Sequence, residues 1–428
     1  MRRALDTLTA VLIVIIIVLA AGLAYFATKG GGGAETQAAG QASGLHGNIT
    51  LGFAIAVSGG YAVDGPKRLK GAELAIDDVN KMLEKAGAPF RCTYVHEDTG
   101  ATAEGAVKVL KRFAANGIQV VIGPLSTAET KAVKPIADQN HIVVISPSST
   151  GVAAAIPNDY IFRMPPPDVA QSKALANIIY QLGYTKVAVI ARDDDYGRGL
   201  ADGFAEVFQS LGGTVKKVMY QPNQPDYANE VNQLANIVQG FGADSHTAVL
   251  IIAFDKDGQN ILGHAADNPV LSKVRWFGPD SMKRGSFLPP NAPEKVGEFL
   301  VKVNFTGTFP SIARNPITQQ FEQEYKAKYG IDPTPYSYYA YDAVWVACLS
   351  IMAAGKYDGE AVKNVLPTVA AHFIGATGHK MLDKNGDAAF ADYGIWKVVK
   401  TPDGKYEFKD IGVWKYASNQ IVWKEGQG

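Results

Sequence analysis

The sequence predicts an α/β protein built of two similar lobes, each a parallel sheet with helices on both faces. Three observations carry this. Short apolar strands alternate with amphipathic helices from Asn48 onward, the pattern of parallel sheets. The series stops at a Pro-rich joint, "RMPPPD" (163–168), and then starts again. At 428 residues the chain is too long for one ordinary core.

In order, the first series reads as strand 49–57, helix 67–85, strand 90–98, helix 102–115, strand 119–123, helix 128–139 and strand 141–146. After the joint come a helix to about Gln181, strand 186–193, helix 198–211, strand 214–220, a helix near 228–239, strand 247–254, a short helix and strand 275–280. "YSYYAYDAVW" (336–345) begins a strongly apolar helix.

The first thirty residues stand apart. Arg2 and Arg3 precede an almost unbroken apolar stretch from Leu8 to Ala27. That length can span a bilayer, and the flanking charge keeps the N-terminus in the cytoplasm. Residues 1–28 are therefore expected to be an uncleaved transmembrane anchor, with cleavage as a signal segment at a pair such as Ala20-Ala21 as the alternative. No Cys follows the stretch, which excludes lipoprotein-type attachment. Residues 29–47, rich in Gly, Ala, Ser and Gln, read as a flexible linker. The body is thus expected outside the cytoplasm.

Lys+Arg and Asp+Glu are equal at 41 each, so no basic field advertises nucleic acid. Mean hydropathy is −0.01, as suits a soluble body. Cys92 and Cys348 are read as free and buried, although a bridge between them is open on sequence alone. Neither has zinc-ligand spacing. No nucleophile elbow, HExxH or Walker loop occurs. "YGRGLADG" (196–203) has G-x-G-x-x-x-G spacing, and Asp193, Asp194 and Asp195 before it would repel a pyrophosphate. It is read as a helix start that presents Tyr196. "DKNGD" (383–387) lacks the spacing of a calcium loop and reads as a turn. Asn48 and Asn304 lie in glycan acceptor patterns. No enzyme, cofactor or metal is expected.

The informative stretches are "VVIGPLST" (120–127) and "VVISPSST" (143–150). Both are core strands whose carboxyl ends break into hydroxyls. In parallel sheets that edge is where ligands bind, so the two loops are expected to form half of a small-molecule site. "WFGPD" (276–280) puts Asp280 past a strand end of the second lobe, where it can accept an ammonium. Taken singly, the hydroxyls are turn formers and Asp280 a turn residue.

With "SGGYAVDGPKRLKGAELAIDDVN", "IFRMPPPD", "VAVIARDDDYGRGLADGF", "GGTVKKVMYQPNQPDY" and "YAYDAV", these strings resemble in content and order the leucine/isoleucine/valine-binding proteins. These are type I periplasmic binding proteins that serve ABC importers. The resemblance runs from Ile49 to about Trp414. It implies a type I periplasmic-binding-protein fold, two Rossmann-like lobes joined by a three-segment hinge near 164–168, 302–307 and 382–390. The implied lobes are 48–165 with 305–385, and 166–304 with 386–428. It implies that Thr127 binds a ligand carboxylate, that the loop of Ser148, Ser149 and Thr150 holds carboxylate and ammonium, that Asp280 pairs with the ammonium, and that Tyr196 and Phe254 contact the ligand. Asp64 stands where the family usually carries an aromatic over the ligand side chain, with Tyr61 nearby. Asp280 is one methylene shorter than the usual Glu, and Ser126 replaces one cysteine of the pair found in bacterial members. The function so implied is capture of an amino acid, branched-chain or related, for ABC permease subunits, with membrane attachment through the N-terminal segment as in archaeal members. An amide, urea or other small polar solute is the alternative ligand. A sensory ectodomain is the alternative role, disfavoured because no second apolar span or output domain follows before Gly428.

Overall fold

The structure, a computed structural model, describes residues 44–426 except 313 and 390. The expected anchor, residues 1–28, and most of the 29–47 linker lie outside the described residues. Among the described residues no helix is long and apolar enough to cross a membrane. The packed chain begins before residue 48: Leu45 is 1% exposed and the Gly44 N–H donates to the Gly355 carbonyl at 3.1 Å.

The first sheet contains β1 (Gly47–Ala54), β2 (Phe90–Glu97), β3 (Val120–Ile122), β4 (Val143–Ser146) and β5 (Ile161–Arg163). Their order is β2-β1-β3-β4-β5, and every pairing is parallel. Helices α1 (Gly65–Lys85), α2 (Ala103–Ala115) and α3 (Thr127–Asn140) are its crossovers. Every residue of β3 and β4 is buried, which is why these strands read as unbroken apolar runs rather than alternating ones.

The second sheet takes β6 (Lys186–Arg192), β7 (Thr214–Tyr220), β8 (Thr247–Ile252), β9 (Arg275–Gly278) and β10 (Thr306–Pro310). Among them run α4 (Asp168–Gln181), α5 (Asp195–Ser210), α6 (Ala228–Gly240), α7 (Asp255–Ala266) and α8 (Glu294–Lys302). The chain then returns to the first sheet through α9 (Pro316–Tyr329), α10 (Pro335–Ala354) and α11 (Gly359–His372). A two-stranded ribbon, β11 (Ile374–Gly375) and β12 (Gly378–His379), follows. Last come β13 (Tyr393–Lys400), β14 (Tyr406–Lys415) and β15 (Gln420–Trp423).

The second sheet has the order β15-β14-β13-β10-β9-β8-β6-β7. It is mixed rather than wholly parallel, because β13, β14 and β15 add an antiparallel edge beside β10. The "TPDG" turn (401–404) between β13 and β14 favours a hairpin there.

Helix α5 begins at Asp195, three residues before the expected 198. Asp194 is its N-cap, accepting from the Gly197 N–H at 2.9 Å. The glycine spacing therefore lies inside a capped helix. In the 383–387 segment, Asp383 Oδ1 accepts from the Asn385 and Asp387 N–H groups, the geometry of a turn. Cys92 and Cys348 are free and buried.

The chain passes between the sheets at 164–167, after Pro310, and between β12 and β13. The second passage is later than the expected 302–307, because β10 is hydrogen-bonded between β9 and β13. A buried fork ties the first passage to the third. Arg163 at the end of β5 gives Nε and one terminal nitrogen to the two carboxylate oxygens of Asp387, each at 2.5 Å. The side chains are 1% and 2% exposed.

Candidate functional site

The carboxyl edges of the two sheets face one another. The residues that line the space between them are Tyr61, Leu125, Ser126, Thr127, Ser148, Ser149, Thr150, Tyr196, Phe254, Asp280, Ser281, Arg284 and Tyr336. The gap between them is narrow, about 230 Å³ with its solvent-open part included. Eight of the nine residues singled out from the sequence meet here. The ninth, Asp64, does not.

The hydroxyl side is built from the ends of β3 and β4. Ser126 caps α3 in a reciprocal box: its oxygen accepts from the Glu129 N–H at 3.2 Å, and Glu129 accepts from the Ser126 N–H at 2.9 Å. Ser126 thus fills the ordinary capping role, and the cap delivers Thr127 to the cavity on the first turn. Thr127 Oγ1 accepts from the Gly151 N–H at 3.0 Å and from the Ser149 hydroxyl at 3.3 Å. Ser148 Oγ accepts from a terminal nitrogen of Arg68 at 2.5 Å. With those oxygens engaged as acceptors, the Thr127 and Ser148 hydroxyls keep their hydrogens to donate. The Ser149 amide is spent on Ser146 Oγ at 3.0 Å, so this loop offers hydroxyl donors more than backbone ones.

The opposite side centres on Asp280, on a short 3₁₀ turn after β9 and 3% exposed. Its Oδ1 accepts from Gln171 Nε2 at 2.6 Å and the Tyr196 hydroxyl at 3.1 Å. Its Oδ2 accepts from the Tyr336 hydroxyl, which comes from the first turn of α10. Burial raises the Asp280 carboxyl above its usual range, against the lowering effect of the Tyr336 and Tyr196 hydroxyls. Asp168, at the start of α4, is also buried. Burial, then the charge of Asp280, pushes it well above the usual range. Neither Asp168 oxygen makes a hydrogen bond of ordinary geometry among the described residues, although the nearby Thr150 hydroxyl lowers its pKa somewhat. Burial raises both carboxyls of this pair, Asp168 further than Asp280.

An aromatic wall closes the third side. Phe254, which precedes α7, stacks on Tyr196 with centroids 5.3 Å apart and meets Tyr61 from the other sheet, also at 5.3 Å. Guanidinium groups surround these rings. Arg192 lies 3.7 Å from the Phe254 centroid, Arg284 4.9 Å from it and 4.8 Å from that of Tyr61, and Arg68 4.9 Å from that of Tyr61. Asp64 turns away from the cavity and binds Arg68, with Nε to Oδ2 at 2.6 Å. Burial is the largest single influence and would raise the Asp64 pKa, but the charges of Arg68 and Arg284 with the hydrogen bonds from Arg68 and Thr334 together hold the carboxyl below its usual range.

Sequence reasoning missed Arg284, Tyr336 and Ser281 at the cavity and Arg68 behind it. Tyr336 opens the apolar helix whose start was legible. Arg284 follows Asp280 by four residues in an irregular segment, and no local pattern marks it.

Residues 48–403 match the periplasmic binding protein family. The chain is 28% identical to an uncharacterised protein of Methanocaldococcus jannaschii, over 88% of this chain and 92% of that one. It is 25% identical to Leu/Ile/Val-binding protein homolog 1 of Brucella abortus, over 84% and 93%. The fold is similar to that of a leucine binding protein from Thermotoga maritima: TM-score 0.69 at 21% identity, covering 88% of this chain and 99% of that one.

Proposed function

The chain belongs to the periplasmic binding protein family, and from that premise we propose that it is an extracytoplasmic receptor which captures an amino acid between two closing lobes and hands it to an ABC permease. One observation carries the reading. A buried carboxyl, Asp280, stands across a narrow cleft from hydroxyls that keep their hydrogens.

A zwitterion needs this arrangement. A carboxylate has about four acceptor positions; Asp280 uses three on Gln171, Tyr196 and Tyr336, and the Ser281 N–H also acts on it. An ammonium would take the place of one of these donors. Thr127 and Ser148, with Ser149 and Thr150 beside them, would take the carboxylate, and Tyr196, Phe254 and Tyr61 would cover the carbon skeleton. The ligand's own opposite charges would then bridge the lobes. In this reading the lobes would part along the sheets, residues 48–165 and about 311–385 moving against 166–310 and 386–426. Closure about three short passages fits a hinge that only a few residues absorb. Names carried by relatives, Leu/Ile/Val-binding and leucine binding, support an amino acid as ligand. The N-terminal apolar segment would tether the receptor to the membrane.

The test is a thermal-shift screen of the full chain in detergent against amino acids, amides and urea. A specific ligand at a hundredfold excess over its dissociation constant adds about 2.7 kcal/mol of apparent stability. A response to amides or urea alone, with none to any amino acid, overturns the reading.

A further inference from the structure

The cavity contains one feature that an aliphatic ligand does not explain. Arg284 lines it and is 3% exposed. One terminal nitrogen donates to Asp255 Oδ1 at 3.2 Å, but its Nε has no hydrogen-bond partner among the described residues. Arg284 does not pair with Asp280, four residues earlier in the chain. It lies instead against Tyr61 and Phe254, the wall assigned to the ligand's skeleton. Arg192 and Arg68 have close carboxylate partners, Asp194 at 2.6 Å and Asp64 at 2.5 Å. The nearest carboxylate oxygen to Arg284 is at 3.2 Å, and the other oxygen of Asp255 is likewise without a hydrogen bond among the described residues.

The Arg284 Nε–H is already out of contact with water, and a branched aliphatic side chain laid on Tyr61 and Phe254 would leave it with nothing to accept it, which is costly for a charged donor. A side-chain oxygen would accept it. Resting on the amino-acid reading above, we propose that the cleft selects an amino acid whose side chain ends in an acceptor oxygen, a carboxylate or carboxamide, and that Arg284 determines this specificity. The two rings pack the intervening methylenes, and Asp280 and the hydroxyl loops hold the α-ammonium and α-carboxylate as before.

Titration calorimetry on the full chain in detergent decides it, with L-glutamate, L-glutamine, L-leucine and L-alanine as probes. Glutamate or glutamine should bind at least roughly tenfold more tightly than leucine, since a site built to hydrogen-bond discriminates against a ligand without the acceptor. Arg284→Met, close in length and uncharged, should erase that preference and leave leucine binding equal or stronger. The ratio of glutamate to glutamine separates an anionic from a neutral acceptor. Leucine binding more tightly than both in the wild type overturns the proposal and leaves the amino-acid reading standing, with a water on the guanidinium. So does an equal loss for every probe in Arg284→Met. Binding of none of the four sinks the proposal and the amino-acid reading together. Should Arg284→Met fail to fold, the wild-type ranking decides alone.

Discussion

The Tyr336 hydroxyl donates to Asp280 Oδ2, joining helix α10, packed on the first sheet, to the end of a strand of the second. The two residues are 56 positions apart and both are buried. The contact crosses the cleft at the carboxylate assigned to the ligand's ammonium.

Loss of the Asp280 charge is expected to weaken amino-acid binding by roughly thirtyfold or more, from the 2–5 kcal/mol typical for truncating one side of a buried charge pair. Asp280→Asn keeps the shape and the contacts with the tyrosine hydroxyls, so circular dichroism should be unchanged. Calorimetry with the best amino acid from the screen is the check. Affinity equal to that of wild type would reduce Asp280 to a turn residue.

Binding should also depend on pH with a definite sign. Asp280 must be ionised to accept an ammonium, and burial raises its pKa. Affinity is therefore expected to hold at neutral pH and to fall on acidification, with the loss starting above the ordinary carboxylate range, ~3.9. Asp168, Tyr196, Tyr336 and Arg284 are the other ionisable groups facing it. Asp280→Asn should flatten the profile between pH 7 and pH 5; a profile unchanged by the substitution assigns the titration elsewhere.

Tyr336→Phe removes one of the direct contacts between the halves, beside Tyr61–Phe254 and Lys131–Asp195, and should shift the unliganded protein toward the open form. Small-angle scattering should then give a larger radius of gyration without ligand and the wild-type value with it. Identical profiles for both proteins in both states would mean that this bond does not help to close the cleft.

The Arg163–Asp387 fork is expected to matter for stability rather than affinity. Removing one partner of a buried pair strands the other charge and typically costs about 3–5 kcal/mol, whereas replacing both with apolar residues of similar volume is often neutral. Asp387→Ala should be severely destabilised in urea unfolding, and the double variant Arg163→Met with Asp387→Leu should recover most of the loss. Equal destabilisation in the two would show that the fork's hydrogen bond to the Gly151 carbonyl, rather than the charge pair, is what counts.

Asp159 offers a test independent of any ligand. Burial pushes its carboxyl up to about 6; Oδ1 accepts from the Ile161 N–H at 2.9 Å, and Oδ2 has no partner among the described residues. Because the folded pKa lies above the unfolded one, the stability this group contributes is complete below about pH 4 and is lost as pH rises through 6. Asp159→Asn cannot ionise, so it should be more stable than wild type at pH 7.5, by about 1–2 kcal/mol after discounting for solvent screening. The gain should vanish near pH 4. A gain that is the same at both pH values would refute this account.

The sequence by itself determined the elements that depend on local pattern. Runs such as Val143 to Ile145 could only be strands covered on both faces, and the hydroxyls after them had to lie at the binding edge of a parallel sheet. Asp280 was legible in the same way, as a carboxylate just beyond a strand. The family resemblance placed Asp64 among the ligand contacts, at the position of an aromatic in other members, but one helical turn brings Arg68 onto it, and a buried carboxylate is costly without a cation. The antiparallel edge of β13 to β15 and the place of β10 depend on pairings between segments some ninety residues apart. Tyr336 and Arg284 enter the cavity from elements whose meeting only the packing of α10 and the turns after β9 decides. Local sequence fixes periodicity and capping over a few residues; which buried charge finds which partner is set by desolvation across the whole fold.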